Sequence, residues 1–423
     1  MSKLSAYSAA TSICDPDAVV AEALYAVRSH LKMQVAFVVE AVGDTAIVRY
    51  VSGADDFAGI LYPGTMHPLR DMIFPYVLSG DVPALIPDAA EYPMLDDLQL
   101  CRDLNVGAFI TVPMYREDGR LYGVLSCISH TPTPCLNARD LDVVGLFADL
   151  AQHAINKKAA DRKTKQVLEK QMDGLIHDGG LNIYLQPIVS LSNQRVRAVE
   201  ALSRFNAPGN ESVEWWFAQA SRANMQVALE VAAIERAMDI LPDLPHPIYL
   251  SVNVSPTTLA APAFMMALHH APPDRLIVEL TEHQEIADTA DLMRTLDQLR
   301  RRRIGIAIDD VGAGYSGLST ILRLKPNVMK LDRSLVMDIQ DDMAKQSLTS
   351  ALVYFATQEK SFLIAEGVEK LAEHETLHKL GVRLGQGFLY ARPAPAQKTI
   401  ARIKQVQQAN VVQFPRRMKS RVI

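Results

Sequence analysis

Hydrophobic positions along the chain fall into two regimes, and each predicts a different kind of domain. In the first, Ala18 to Leu31 repeats apolar residues at helical spacing behind Asp15 and Pro16, a capping residue and a first-turn proline, which predicts a helix. Val35 to Glu40 and Ala46 to Val51, parted by Gly43-Asp44, predict a β-hairpin. A second hairpin is predicted over Ala108 to Tyr115 and Leu121 to Ile128, with Glu117-Asp118-Gly119 as its turn, and a further helix starts near Asn137. From Asp140 to Ile176 no proline interrupts a helical pattern that carries Leu146, Leu150, Val167, Met172 and Ile176. Its middle, Lys157 to Lys165, is strongly polar, which suits a signalling or dimerising linker better than a packed surface helix.

The second regime begins near Leu181. Short β-rich runs, Ile183 to Val189, Val196 to Leu202, Ile248 to Val254, Leu276 to Leu280, Ile304 to Ile308, Val328 to Leu331 and Phe362 to Ala365, alternate with amphipathic stretches. Repeated βα units of this kind predict a parallel sheet or barrel. After Pro393 the pattern predicts a terminal helix and a loose basic tail.

Totals narrow the function classes. A chain of 423 residues is expected to hold two or three domains, and 49% hydrophobic with 22% charged residues is ordinary globular composition. The net charge of −5 argues against a duplex nucleic-acid partner, and the basic runs at Arg300 to Arg303 and Arg416 to Arg421 read as solvated surface. No stretch approaches the roughly 20 apolar residues of a membrane span. With no secretory leader recognisable at the start, no membrane association and a cytoplasmic location are expected. Cys14, Cys101, Cys127 and Cys135 lack metal-ligand spacing and fit a reducing compartment.

Candidate chemistry sits at the ends of the second set of strands: Glu200, Asn253, Glu279, and the pair Asp309-Asp310. In a barrel those ends share one mouth. Oxygen donors converging there suit hard divalent cations such as Mg²⁺ or Mn²⁺, whereas no cysteine and histidine cluster supports zinc. Adjacent aspartates repel unless a cation neutralises them; the alternative is that the pair merely caps the next helix, aided by Gly312 and Gly314.

These residues resemble a known family. Glu200-Ala201-Leu202 is similar to the motif that names EAL domains and follows Leu185-Gln186-Pro187-Ile188-Val189. The likeness continues in order through Val252-Asn253-Val254-Ser255-Pro256, Glu279-Leu280-Thr281-Glu282, Asp309-Asp310-Val311-Gly312-Ala313-Gly314-Tyr315-Ser316, Lys330-Leu331-Asp332, Ala365-Glu366-Gly367-Val368-Glu369 and Gln386-Gly387-Phe388. The resemblance implies an α/β modified TIM barrel that hydrolyses cyclic di-GMP to 5′-pGpG with two Mg²⁺ or Mn²⁺ ions. By the same likeness Glu200, Asn253, Glu279 and Asp309 are expected to hold one metal and Asp310 the second. Lys330 is expected to orient water or neutralise phosphate charge, and Glu366 to bind metal or accept a proton. Gln186, Leu202 and Arg204 resemble positions that meet the dinucleotide, and Gln386 one that reaches the metal site. Glu282 resembles a loop anchor, and Asp332 and Glu369 are expected to support the ligands from behind.

Departures from the family pattern are Val311, Ala313, Gly317, Ser203 and Asn327, which bear on loop position and rate more than on metal binding. The front part resembles a GAF sensor, an α+β domain with an antiparallel sheet and flanking helices. No ligand motif distinguishes a cyclic nucleotide, a bilin or a haem for it, although His30, His67, His130 and His153 are formal haem candidates. The expected organisation is a GAF-like domain at 1–155, a helical linker at 156–178, the barrel at 179–400 and a basic tail at 401–423, with homodimerisation through the linker and the barrel. A barrel that binds cyclic di-GMP without cleaving it, or that cleaves another phosphodiester, remains open at this point.

Overall fold

The computed structural model describes residues 15–412 except 54–58, 208, 210, 270–271, 281–289 and 313–317. Glu282, Ala313, Gly317, Cys14 and the tail beyond Val412 therefore lie outside the described residues. The chain divides into two compact units, Met1–Thr164 and Lys165–Ile423.

The first unit is built on an antiparallel sheet: β1 (Val35–Val42), β2 (Thr45–Ser52), β3 (Met66–Pro68), β4 (Leu85–Ile86), β5 (Ala108–Tyr115) and β6 (Leu121–Ser129), in the order β3-β2-β1-β6-β5-β4. Period-2 alternation assigns its faces. In β1, Ala36 and Val38 meet Val20, Leu24 and Val27 of the helix Pro16–Leu31, and Val144, Ala148 and Ala151 of the helix Ala138–His177. Val35, Phe37 and Val39 point the other way, into a core with Leu61, Phe74, Leu98 and Phe109. The expected hairpins and flanking helices are thus in place.

This second core leaves little room. The cavity among Phe37, Met72, Phe74, Leu100 and Phe109 measures 20 Å³, space for about one water. A cyclic nucleotide, bilin or haem does not fit there. His67 is held to the Ile60 carbonyl at 3.0 Å and His130 to that of Asn105 at 3.3 Å.

Asp17 at the start of the first helix accepts from the Tyr50 hydroxyl at 2.5 Å and pairs with Lys158 at 2.5 Å. Hydrogen bonding from Lys158 and Tyr50 holds its carboxyl below the usual range. A depressed folded value adds stability above the unfolded pKa and loses it as pH falls through the folded one. Asp17→Asn is therefore expected to flatten the acid limb of this unit's urea-midpoint profile slightly, since the pair is half-exposed.

The second unit is a closed barrel of β7 (Leu181–Ser190), β8 (Val196–Phe205), β9 (Tyr249–Val254), β10 (Leu276–Leu280), β11 (Gly305–Val311), β12 (Val328–Leu331), β13 (Phe362–Ala365) and β14 (Leu384–Gln386). Strands β8 to β14 run parallel in sequence order, while β7 is antiparallel to both its neighbours, β8 and β14, and closes the ring. A purely parallel sheet was the simpler expectation. The difference arises because β7 and β8 are joined by a tight turn instead of a helix, and a hairpin can only reverse direction. A short strand, β15 (Ala394–Pro395), adds to β7, and the helix Ala396–Val412 follows, running past position 401, where the tail was expected to start.

Outward residues of the strands, among them Leu250, Val252, Val278, Ile306, Met329 and Leu331, pack against Leu259, Phe264, Leu292, Leu296, Leu352 and Leu377 of the surrounding helices. No helix among the described residues is long and apolar enough to cross a membrane.

Candidate active site

Inside the barrel, Ile188, Ala198, Ala307, Val328 and Ile364 form an apolar layer, with Ile277 and Leu384 against it. Side chains return to the same face of a strand every second residue. One step of two toward the carboxyl ends of the parallel strands leads to Glu200, Glu279, Asp309, Lys330, Glu366 and Gln386. In antiparallel β7 the step runs backward, from Ile188 to Gln186, which lies opposite Glu200 in register. Asn253 belongs to the same tier, opposite Glu279. The chemistry therefore occupies one storey of the barrel, directly above its greasy floor.

Lys330, 2% exposed, is the centre of that storey. Its ammonium pairs with Glu279 and Glu366 and lies 3.4 Å from Asp309 and 3.6 Å from Glu200. Burial pulls its pKa down, but the charges of Glu200, Glu279, Glu366 and Asp309 outweigh that and raise it well above the ordinary value. Burial pushes the Glu366 carboxyl up to about 8, with Asp309 and Glu200 adding to the rise against Lys330. Burial likewise lifts Glu279 well above the usual carboxylate range.

Glu200 goes the other way. Burial alone would raise it, yet the Lys330 charge and the amides of Gln386 and Asn253 together bring it below its ordinary value. Asn253 Nδ2 donates to Glu200 Oε1 at 2.8 Å, and Gln386 Nε2 donates to Oε2 at 2.6 Å. Gln386 Nε2 also donates to Gln186 Oε1 at 3.0 Å, and Gln186 Nε2 donates to the Ala391 carbonyl at 3.2 Å. Amides on both oxygens fix one carboxylate rotamer.

The Asp309-Asp310 pair sits within β11, not at a helix cap. Ile308 and Val311 oppose Met329 and Leu331, so two aspartates face the single residue Lys330 in a bulge. Asp310 takes a φ of +53°, a left-handed conformation that costs a non-glycine residue roughly 1–2 kcal/mol. Its Asp309 neighbour accepts from the Asp310 amide at 3.0 Å.

Three buried acceptors, Glu279 Oε1, Glu366 Oε1 and Gln386 Oε1, have no hydrogen-bond partner, although the two carboxylates approach Lys330 as ion pairs. Oxygens of Glu279, Asp309 and Glu366 lie within 4.8 Å of one another. An oxygen-only set with unused lone pairs fits a hard divalent cation.

Other expected residues lie elsewhere. Leu202 and Arg204 line a 590 Å³ cavity that reaches Asn253, with Arg204 stacked 5.5 Å from the Tyr184 ring. Asp332 caps the helix Arg333–Val336 by accepting from Ser334 N at 2.9 Å, and Glu369 pairs with Arg333 at 2.9 Å, so neither meets the carboxylate cluster. Ser255 does the same capping service for Pro256–Ala260. The recurrent motifs thus combine an interior side chain with the cap that turns the chain away from the mouth.

Sequence reading overlooked Ser251, whose hydroxyl donates to Glu279 Oε2 at 2.8 Å, and the Ala391 carbonyl. Ser251 stands two residues before Asn253, on the same inward face, so the strand period could have found it. Gly387 has a separate role: a Cβ there would lie 2.1 Å from the Val368 carbonyl, just where Val368 N donates to Gln386 O at 3.0 Å. Gly387→Ala is expected to cost about 1–3 kcal/mol in urea unfolding and to displace Gln386.

The EAL domain family matches residues 169–393, over half of the chain and the whole cluster around Lys330. The chain belongs to the EAL-domain family. The GAF domain family matches residues 15–156 of the same chain. The bifunctional diguanylate cyclase/cyclic di-GMP phosphodiesterase MucR of Pseudomonas aeruginosa is 30% identical over 318 residues, covering 71% of this chain and 45% of that protein. Cyclic di-GMP phosphodiesterase RocR of the same organism is 30% identical over 236 residues, 52% of this chain and 59% of RocR. This EAL-domain chain thus spans about half the length of the curated relatives it matches. Among solved structures, the MucR phosphodiesterase in complex with c-di-GMP superposes with a TM-score of 0.50 at 29% identity, over 55% of this chain and 99% of that one. The EAL enzyme Bd1971, bound to cAMP and cyclic di-GMP, shares the fold over 88% of this chain and 93% of its own, with a TM-score of 0.54 at 22% identity.

Proposed function

We propose that the barrel hydrolyses cyclic di-GMP to linear 5′-pGpG with the help of two Mg²⁺ or Mn²⁺ ions. The observation that carries this reading is the ring of Glu200, Glu279, Asp309 and Glu366 around Lys330, in which oxygens of Glu279, Asp309 and Glu366 lie within 4.8 Å of one another. Glu200, Asn253, Glu279 and Asp309 would hold one ion, and Asp310 and Glu366 the second. When bound, such ions supply positive charge to the phosphodiester and make water more acidic. Lys330 then offsets charge on the phosphate oxygens, and Glu366, beside Lys330 in the same tier, takes up the proton released by the attacking water. Leu202 and Arg204 in the adjoining cavity receive the dinucleotide, with Gln186 and Gln386 keeping Glu200 aligned.

The substrate agrees with the names of MucR and RocR. The GAF-like unit would regulate the barrel through the helix Ala138–His177, which spans the boundary between the units, and would do so as a homodimer in the cytoplasm. The test is to incubate the full chain with cyclic di-GMP and either metal and to separate the nucleotides. Linear product is expected, absent in EDTA and in a Glu200→Ala variant. Binding of cyclic di-GMP without any linear product would replace this reading with that of a silent receptor.

A further inference from the structure

A second site lies on the outer wall of the barrel. A groove of 840 Å³ runs between the β7–β8 hairpin, the segment after β14 and the helix Ala396–Val412. Arg195, Arg197, Arg392, Lys398 and Arg402 line it, and no acidic residue does. Among the described residues none of these five cations enters an ion pair, in a protein whose net charge is −5. Like charges gathered without counter-charge repel one another and raise the local potential, so a cluster of this kind attracts anions.

The groove also has an apolar side. Pro187, Val189, Leu389 and Ile403 contribute to its walls, and the Arg392 guanidinium lies 4.1 Å over the Phe388 ring, a stacked aromatic surface at its edge. Lys398, Arg402 and Val406 fall one turn apart on a single helix face turned to the groove. In β7, Pro187 and Val189 alternate with Gln186 and Ile188, which face the interior, so the strand itself separates this groove from the carboxylates.

We propose that this groove binds a nucleotide polyphosphate, its phosphates held by the arginines and Lys398 and its base placed against the apolar wall. Arginine forks match phosphate oxygens in pairs, and 840 Å³ is a volume suited to a ligand of that size. The site is independent of the cyclic di-GMP reading, because none of its five cations belongs to the carboxylate storey, which it touches only at Ala391, whose carbonyl accepts from Gln186.

The test is calorimetric titration of the full chain with ATP in EDTA, where divalent cations do not mediate binding. One ATP per chain is expected, weakened by rising salt, with adenosine failing to bind. An Arg197→Ala/Arg402→Ala double variant is expected to bind at least about 10-fold more weakly, in line with the loss of charge-assisted contacts, while Glu200→Ala binds like the parent. Lysine at the same two positions should recover part of the affinity, which separates loss of charge from loss of fold. The proposal is overturned if millimolar ATP does not bind, if Glu200→Ala and not the double variant abolishes binding, or if single-stranded DNA binds this groove in preference to ATP.

Discussion

Lys330→Met is expected to lose about 3–5 kcal/mol of stability in EDTA at pH 8, because it removes the cation that four surrounding carboxylates share. The barrel's melting temperature, followed by circular dichroism, should fall by roughly 10 °C. The loss should shrink at lower pH: without their counter-charge the buried carboxylates bind protons more readily folded than unfolded, so stability falls as pH rises. Adding Mn²⁺ should raise the variant's melting temperature more than the parent's, since the ion meets no competing ammonium. An unchanged melting curve in EDTA would mean that Lys330 is not the electrostatic centre of the barrel.

Glu200→Gln is the second large effect. The substitution keeps shape but removes charge, and its new amide must face amide donors of Asn253 and Gln386 that now serve the carboxylate at 2.8 and 2.6 Å. Turnover of cyclic di-GMP should drop about 10²–10³-fold or more, as expected when several kcal/mol of charge stabilisation are lost. Binding measured with Ca²⁺ in place of Mg²⁺ should weaken far less, because the cavity lined by Leu202 and Arg204 is untouched. Equal losses in binding and turnover would contradict the role given to Glu200.

The strands that could be read from the chain were those with several consecutive apolar residues. Leu276–Leu280, Val328–Leu331 and Phe362–Ala365 have the expected bounds, since strands buried on both faces read as mostly apolar runs, broken in the first two only by Glu279 and Lys330. β14 escaped that test because its three residues include Gly385 and the polar Gln386. The bulge at Asp309-Asp310 was also invisible, as its two-against-one register depends on where Lys330 falls on a distant strand. Polar residues at strand ends could be singled out, and Lys330 does turn inward, but Asp332, two residues on and expected to support the ligands, is spent on a helix cap. Ser251 lacked charge to draw attention, though it shares the inward face of Asn253.

The tiered interior has a consequence for how this barrel tolerates change. Insertion or deletion of a single residue between Val328 and Lys330, or between Ile277 and Glu279, would swing the polar group into the oily helical jacket and bring an apolar neighbour to the mouth. Away from bulges such as that at Asp309-Asp310, changes of length in this unit are expected to be tolerated in the connections between strands, while the strands themselves change letter by letter.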